Sequence, residues 1–387
     1  MKILILGGTG VLSTDILNEC LKYDNQIYIV NRGHTQIPQK NNIKCHFIIG
    51  DIRIPYDIRN KIKDIKFDVI IDFLSYNKEQ LTSTWEALSE FGKQYIFISS
   101  CCVFRRAMKD GIISENSPKP NPNLLYSINK YECENLIKKL SSKSNTTYTI
   151  VRPYITYGNT RIPFGIAPQN NKKHGTLIAR IRAGKPMFLW DDGLTQCSIL
   201  HTKDFAKIFY KILNNTNTFN QDINLTSEKV YTWKEVAECI FKKLNQPPLL
   251  VYIERNKLAK LMPAYASSII GDRSLNAIFS HDKLYTIIPE SRNILNESIS
   301  LSEGLQDTIT NYDQNNNLLG IDYIYDAIVD RAIYNGTTNK ELRKKLSFIN
   351  YSGDNKKWNM YTYMIYRYLP YNIANKVYRI LSKLYSH

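Results

Sequence analysis

The chain has 387 residues, 43% of them apolar, and 51 Lys and Arg against 35 Asp and Glu, for a formal net charge of +16. That apolar share buries a substantial core in one large or two modest domains, while no run reaches the ~18 apolar residues of a membrane span and MKILILGG carries no cleavable-signal pattern, so the cytoplasm is the expected compartment. The positive field attracts phosphates of any kind, whether nucleic acid, an anionic membrane surface or a phosphorylated small substrate, and equally follows from a plainly lysine-rich composition.

Apolar runs alternate with helical patterns through the first 150 residues. KILIL comes first, then IYIV near residue 27, CHFII near 45, DVIID near 68, YIFIS near 95 and YTIV near 148. Residues 11–23, 78–92 and 126–142 carry apolar positions at helical spacing. Strand alternating with helix predicts an α/β fold, a doubly wound parallel sheet with helices on both faces. Beyond 158 the pattern loosens into a basic loop, a helix near 176–184, a strand-like FLW at 188–190 and the run CSILHTKDFAKIFYKIL. DINLTS at 222–227 reads as a further strand, and TWKEVAECIFKKL as a helix capped by Thr232. The expected organisation is a dinucleotide domain at 1–158 with 198–226 returning to it. A smaller mixed α/β substrate lobe takes 159–197 and 227–337, and a basic, tyrosine-rich helical tail takes 338–387.

The turn after the first strand is Gly7-Gly8-Thr9-Gly10-Val11-Leu12-Ser13. Glycine allows the tight turn, and the bare Gly10 lets backbone N–H groups and a helix N-terminus approach a pyrophosphate. Gly7, Thr9, Gly10, Val11 and Leu12 are therefore candidate cofactor contacts. The second strand ends in Asn31-Arg32-Gly33, with no acid where a ribose-binding carboxylate is expected, which favours NADP over NAD. Arg32 alternatively stacks on adenine or faces solvent. Asp51 is a candidate for the adenine amino group or a helix cap; Ile52, Phe73, Leu74 and Ser75, at the ends of the third and fourth strands, complete this part of the set.

The fifth strand ends in Ile98-Ser99-Ser100-Cys101-Cys102, and Tyr126-Ser127-Ile128-Asn129-Lys130 follows. Positions i and i+4 share a helix face, so Lys130 sits beside Tyr126. A phenol of ordinary pKa about 10 is a poor base at neutral pH; a neighbouring ammonium and an oxidised nicotinamide lower it into a useful range. Ser100, Tyr126 and Lys130 are the expected catalytic group. His201 at a strand end and Cys101 and Cys102 are expected to be structural. The seven cysteines lack C-x-x-C spacing, so reduced thiols and no metal site are expected.

GGTGVLS at 7–13, ISSCCVF at 98–104, YSINK at 126–130 and VRPYITYG at 151–158 together resemble the extended short-chain dehydrogenase/reductases, the NAD(P)-dependent epimerase/dehydratase superfamily. The likeness spans roughly 1–335, and HTKD at 201–204 is similar to the family's His-Val-x-Asp stretch. It implies a Rossmann sheet and a homodimer. Tyr126 is then the acid/base, Lys130 the group that lowers its pKa and holds the ribose, and Ser100 the group that positions substrate. Residues 152–157, with Pro153, Tyr154 and Thr156 as the contacts, lie near the nicotinamide. The implied substrate is a nucleotide-linked sugar, processed by epimerisation, dehydration or ketone reduction.

Three positions depart from that pattern. Ile155 replaces an asparagine, Cys197 replaces an arginine that would pair with a pyrophosphate, and Ala-Ser-Ser-Ile-Ile precedes Gly271-Asp272 where another arginine is usual. Arg161, Lys172, Lys173, Arg180, Arg182 and Lys185 are replacement cations on a cleft rim, or solvated surface. Asn31-Arg32-Gly33, the missing arginines and AIFSHDKLYTIIPE at 277–290 also resemble a branch that includes chloroplast-type RNA-binding members, which leaves an RNA-binding or regulatory protein as the alternative.

In the tail, Ile373, Val377, Ile380, Leu381 and Leu384 share a helical face, with Lys376, Arg379 and Lys383 opposite. Trp358 and tyrosines 361, 363, 366, 368 and 371 precede them. Packing on the protein's own body or a second subunit is the favoured expectation; peripheral contact with an anionic membrane is the other.

Overall fold

Residues on the first strand, β1 (Lys2–Leu6), divide strictly by parity: Ile3 and Ile5 enter one layer of the core, Leu4 and Leu6 the other. A strand covered on both faces must be apolar throughout, which is why these segments read as unbroken runs. The computed structural model describes residues 1–33, 44–106, 111–158, 160–314 and 320–385, with side chains to 383. Six more strands join β1: β2 (Gln26–Asn31), β3 (Cys45–Ile49), β4 (Phe67–Asp72), β5 (Gly92–Ile98), β6 (Thr147–Pro153) and β7 (Gln221–Leu225). They pair in parallel in the order β7-β6-β5-β4-β1-β2-β3.

Helices α1 (Val11–Leu21) and α5 (Thr202–Ile212) cover one face. α2 (Pro55–Ile62), α3 (Lys78–Leu88) and α4 (Leu125–Ser141) cover the other. The expected Rossmann α/β sheet is therefore present. Its strand order reverses at β1, whose neighbours β2 and β4 leave in opposite directions, and ligands of such sheets bind where the loops after those strands part.

Two units emerge from the contacts. The first holds 1–156, 198–230 and 277–299; the second holds 157–197, 231–276 and 300–387. Residues 277–299, which the sequence reading assigns to the second lobe, group with the first unit, where Leu284, Ile288 and Leu295 join the core beside α5.

In the second unit, Met187–Trp190 pairs in parallel with Leu250–Ile253. The helix Trp233–Lys243 starts at Thr232 through a reciprocal cap with Glu235. The helix Tyr323–Gly336 supports Lys356–Tyr368, so the aromatic stretch upstream of the last helix is itself a helix. Its inward face carries Tyr363 and Tyr366, both buried.

Two of the proposed rim cations belong to this interior instead. Arg180 and Lys185 are at most 1% exposed and form a balanced cluster with Asp326 and Asp330. Water would be lost to any of the four without its counter-charge, so the cluster excludes both the rim and the solvated reading for these residues. Arg182 does lie at the surface, forked onto Asp313 at 2.6 and 2.8 Å.

Candidate active site

Strand ends and helix starts of the first unit supply every element of the site. The chain leaves β1 through Gly7, whose φ of +94° and whose missing Cβ, 2.8 Å from Leu74, both demand glycine. Gly10 caps α1, and Ser13 Oγ accepts from its N–H at 2.8 Å. With that donor used, the first-turn N–H groups of Val11 and Leu12 are the ones an incoming phosphate would meet.

Beside this turn lies a cavity of about 310 Å³. Gly7, Thr9, Asn31, Arg32, Asp51, Ile52 and Leu74 line it, all anticipated from the sequence. Val30, Gly50, Arg53, Tyr76 and Gln80 line it too, and sequence reasoning missed them. Asn31 Oδ1 accepts from Gly33 N–H at 2.8 Å and so shapes the turn. Asp51 is neither free nor a helix cap: Arg53 donates to it from Nε at 2.9 Å and from its backbone N–H at 2.9 Å. These bonds hold the Asp51 carboxyl at about 2, below the usual carboxylate range. The signal for Arg53 was its two-residue spacing from Asp51, which lets one guanidinium fork back onto the carboxylate.

Lys130 is 2% exposed, on the inner face of α4. Its Nζ donates to the carbonyls of Ser75 at 2.7 Å and Ile98 at 2.8 Å, leaving one of three protons for a further acceptor. The Tyr76 and Phe97 rings lie 4.7 and 4.6 Å from the charge. Burial pushes the ammonium down to about 8, partly offset by the negative charge of Asp72. Asp72 is itself fixed by the N–H groups of Leu74 and Ser75 and the hydroxyl of Tyr95.

Tyr126 starts α4 one turn above Lys130 and is 41% exposed, its ring 6.5 Å from that of Tyr76. Ser100 is nearly buried, and its Oγ accepts from Cys102 N–H at 3.2 Å. One turn beyond Lys130, Glu134 receives Ser99 Oγ at 2.6 Å and both arms of Arg152, at 2.7 and 2.8 Å. Arg152 also donates to Asp222 at 2.6 Å. The first residue of the 152–157 stretch is thus a buried tie between β6, α4 and β7.

Pro153 ends β6 and Thr156 is buried shortly after it. Tyr154 takes a hydrogen bond from Arg106 Nη1 at 2.9 Å, with that guanidinium 4.5 Å above its ring. Phe73 packs toward the α1 layer. Ser75 Oγ, fully buried, has no hydrogen-bond partner among the described residues. His201 Nδ1 accepts from Lys203 N–H and starts α5. Cys101 is buried, its thiol pushed up by burial and donating to the Arg152 carbonyl at 3.1 Å.

A dinucleotide fits these residues: the turn that only Gly7 can make, the open N-terminus of α1, the cavity, the spare proton on Lys130 and the buried hydroxyl of Ser75 lie beyond the C-terminal ends of β1, β4 and β5. In the second unit, Cys197 is buried and directs its sulfur to Tyr231 O at 3.3 Å, leaving that position without a cation.

A profile of the NAD dependent epimerase/dehydratase family matches residues 3–226. Among curated proteins, the chain is 26% identical over 254 residues to the chloroplast stem-loop binding protein of 41 kDa b of Arabidopsis thaliana, covering 62% of each. It is 22% identical over 174 residues to UDP-glucose 4-epimerase of Lactobacillus helveticus, covering 41% of this chain and 52% of that one. Less than two thirds of either relative's length is spanned. Among solved structures, UDP-glucuronic acid 4-epimerase from Bacillus cereus in complex with NAD superposes with a TM-score of 0.63 at 18% identity, over 81% of this chain and 97% of that one.

Proposed function

The chain belongs to the NAD dependent epimerase/dehydratase family, and from that premise we propose that it oxidises and reduces a carbon of a nucleotide-activated sugar with Tyr126 as the acid/base. The observation that carries the reading is the buried Lys130, locked by two carbonyls one helical turn below Tyr126. An ammonium fixed there makes phenolate formation at Tyr126 less costly, so the phenol can take a proton from a sugar hydroxyl and return it. Ser100, at the end of β5, holds the sugar oxygen in that exchange. The bound nicotinamide supplies the site that accepts and donates hydride.

Gly7, Thr9 and the first turn of α1 hold the pyrophosphate in this reading, and the third N–H of the Lys130 ammonium donates a hydrogen bond to the ribose. Arg32 on the cavity wall favours NADP over NAD, since a 2′-phosphate takes up a guanidinium charge that a bare hydroxyl does not. The nucleotide-sugar substrate rests on the kind of compound named for the two epimerases above. The homodimer rests on family resemblance and is checked by sedimentation equilibrium.

Mass spectrometry of the dinucleotide released on mild denaturation, followed by incubation with UDP-glucose, UDP-glucuronic acid and dTDP-glucose, tests the proposal. A retained nicotinamide dinucleotide and a converted sugar are expected. Contradiction would come from no dinucleotide and no conversion, together with RNA retained on filters at physiological salt with a steep salt dependence.

A further inference from the structure

Among the described residues, the last helix, Tyr371–Tyr385, packs by one side. At 100° per residue, Ala374 and Tyr378 fall on that side. Ala374 is fully buried, and the Tyr378 ring lies 5.7 Å from both Trp358 and Tyr366. Ile373, Val377 and Ile380 fall on a second side, where Ile373 is 50% and Ile380 62% exposed. Lys376, Arg379 and Lys383, all exposed, border that stripe along the edge away from the packed side. Among the described residues none of the three has an acidic partner. The side chain of Leu384 lies outside the described part.

The surrounding chemistry narrows what covers this stripe. The preceding helix exposes Tyr361, Met364 and Tyr368 at i, i+3 and i+7. Residues 338–387 contain ten Lys and Arg against two acids, half of the whole chain's excess charge. A second copy docking by the same face would oppose like charges across the contact, whereas an anionic bilayer satisfies both features at once. Its acyl boundary takes the branched side chains, and its headgroups take the flanking cations.

We propose that the helix Tyr371–Tyr385 docks the protein on a membrane surface rich in anionic lipid, with Ile373, Val377 and Ile380 at the acyl boundary and Lys376, Arg379 and Lys383 among the headgroups. No helix among the described residues is long and apolar enough to cross a membrane, so the contact is peripheral.

Cosedimentation of the full chain with phosphatidylcholine vesicles, with and without phosphatidylglycerol, reads this directly. Binding is expected only with the anionic lipid and weakens as salt rises. The double variant Ile373→Asp and Ile380→Asp loses about tenfold or more in partitioning. Each of Lys376→Gln, Arg379→Gln and Lys383→Gln loses about fivefold. All five substituted positions are at the surface, so thermal unfolding of the variants should match that of the parent. No binding to anionic vesicles, or undiminished binding by the double variant, would overturn the proposal. So would a dimer in lipid-free solution that the double variant dissolves.

Discussion

An ammonium inside the protein behaves unlike one in water, and Lys130 is the clearest case. Burial brings it down to about 8 from 10.5. Between those values the unfolded chain keeps a proton that the folded chain has released, so this group makes stability rise with pH through that window. In the proposed mechanism catalysis runs the other way, because the charge that would ease ionisation of Tyr126 is lost there. The pH profile of kcat/KM should therefore fall above about pH 8, and Lys130→Met should remove that limb along with roughly 10²-fold or more of the turnover. His174 is the acid-side counterpart. Its ring accepts from Ile162 N–H at 3.1 Å and lies 3.1 Å from Pro168 O, and burial lowers it to about 3. The unfolded chain protonates first as pH falls below about 6.5, so stability is full above that value and is lost toward 3, by about 2 kcal/mol at pH 5. Urea unfolding of His174→Gln should show a flatter acid limb than the parent. Arg32→Ala should raise the Kd for NADPH about tenfold or more and leave that for NADH within about twofold; equal effects on both would remove the case for NADP.

At the scale of elements, α4 shows what sequence reveals and what it hides. That Tyr126 and Lys130 stand one turn apart on one helix was legible from their i, i+4 spacing after a fifth strand. The same face continues to Glu134, which was not legible: a glutamate in a helix normally faces water, and its burial follows from Arg152 arriving from β6. Glu134→Ala leaves that arginine buried against one remaining carboxylate, and urea unfolding should register a loss of about 3–5 kcal/mol; a loss under about 1 kcal/mol would contradict the tie. Helix α2 escaped the sequence reading because PYDIRNKI is short and mostly polar, with only Pro55, Ile58 and Ile62 buried. The helical tail expected over 338–387 includes the helix Lys356–Tyr368, but which of its tyrosines are buried was not legible, because tyrosine suits a buried wall and an exposed face alike. Tyr363 is buried with its hydroxyl on Asp330, whereas Tyr368 is 65% exposed.

Across the whole molecule, the seven-stranded sheet was readable because each central strand is apolar on both faces and needs no distant partner to declare itself. The second unit declares itself less, since its interior depends on charges that find each other across long sequence separations. Arg180 and Lys185 meet Asp326 and Asp330 over some 140 residues of chain, and nothing local marks them as buried. The net charge of +16 likewise has a place rather than a diffuse effect: half of the excess lies in the last fifty residues, away in sequence from the dinucleotide turn. The central claim is that Tyr126, set over a buried ammonium, performs the proton exchange while the glycine turn and its cavity hold the cofactor. Tyr126→Phe separates the two most directly, with dinucleotide affinity and nucleotide-sugar turnover measured on the same preparation. The account predicts a Kd within about twofold of the parent and turnover lower by about 10²–10⁴-fold; turnover unchanged in the phenylalanine variant would contradict it.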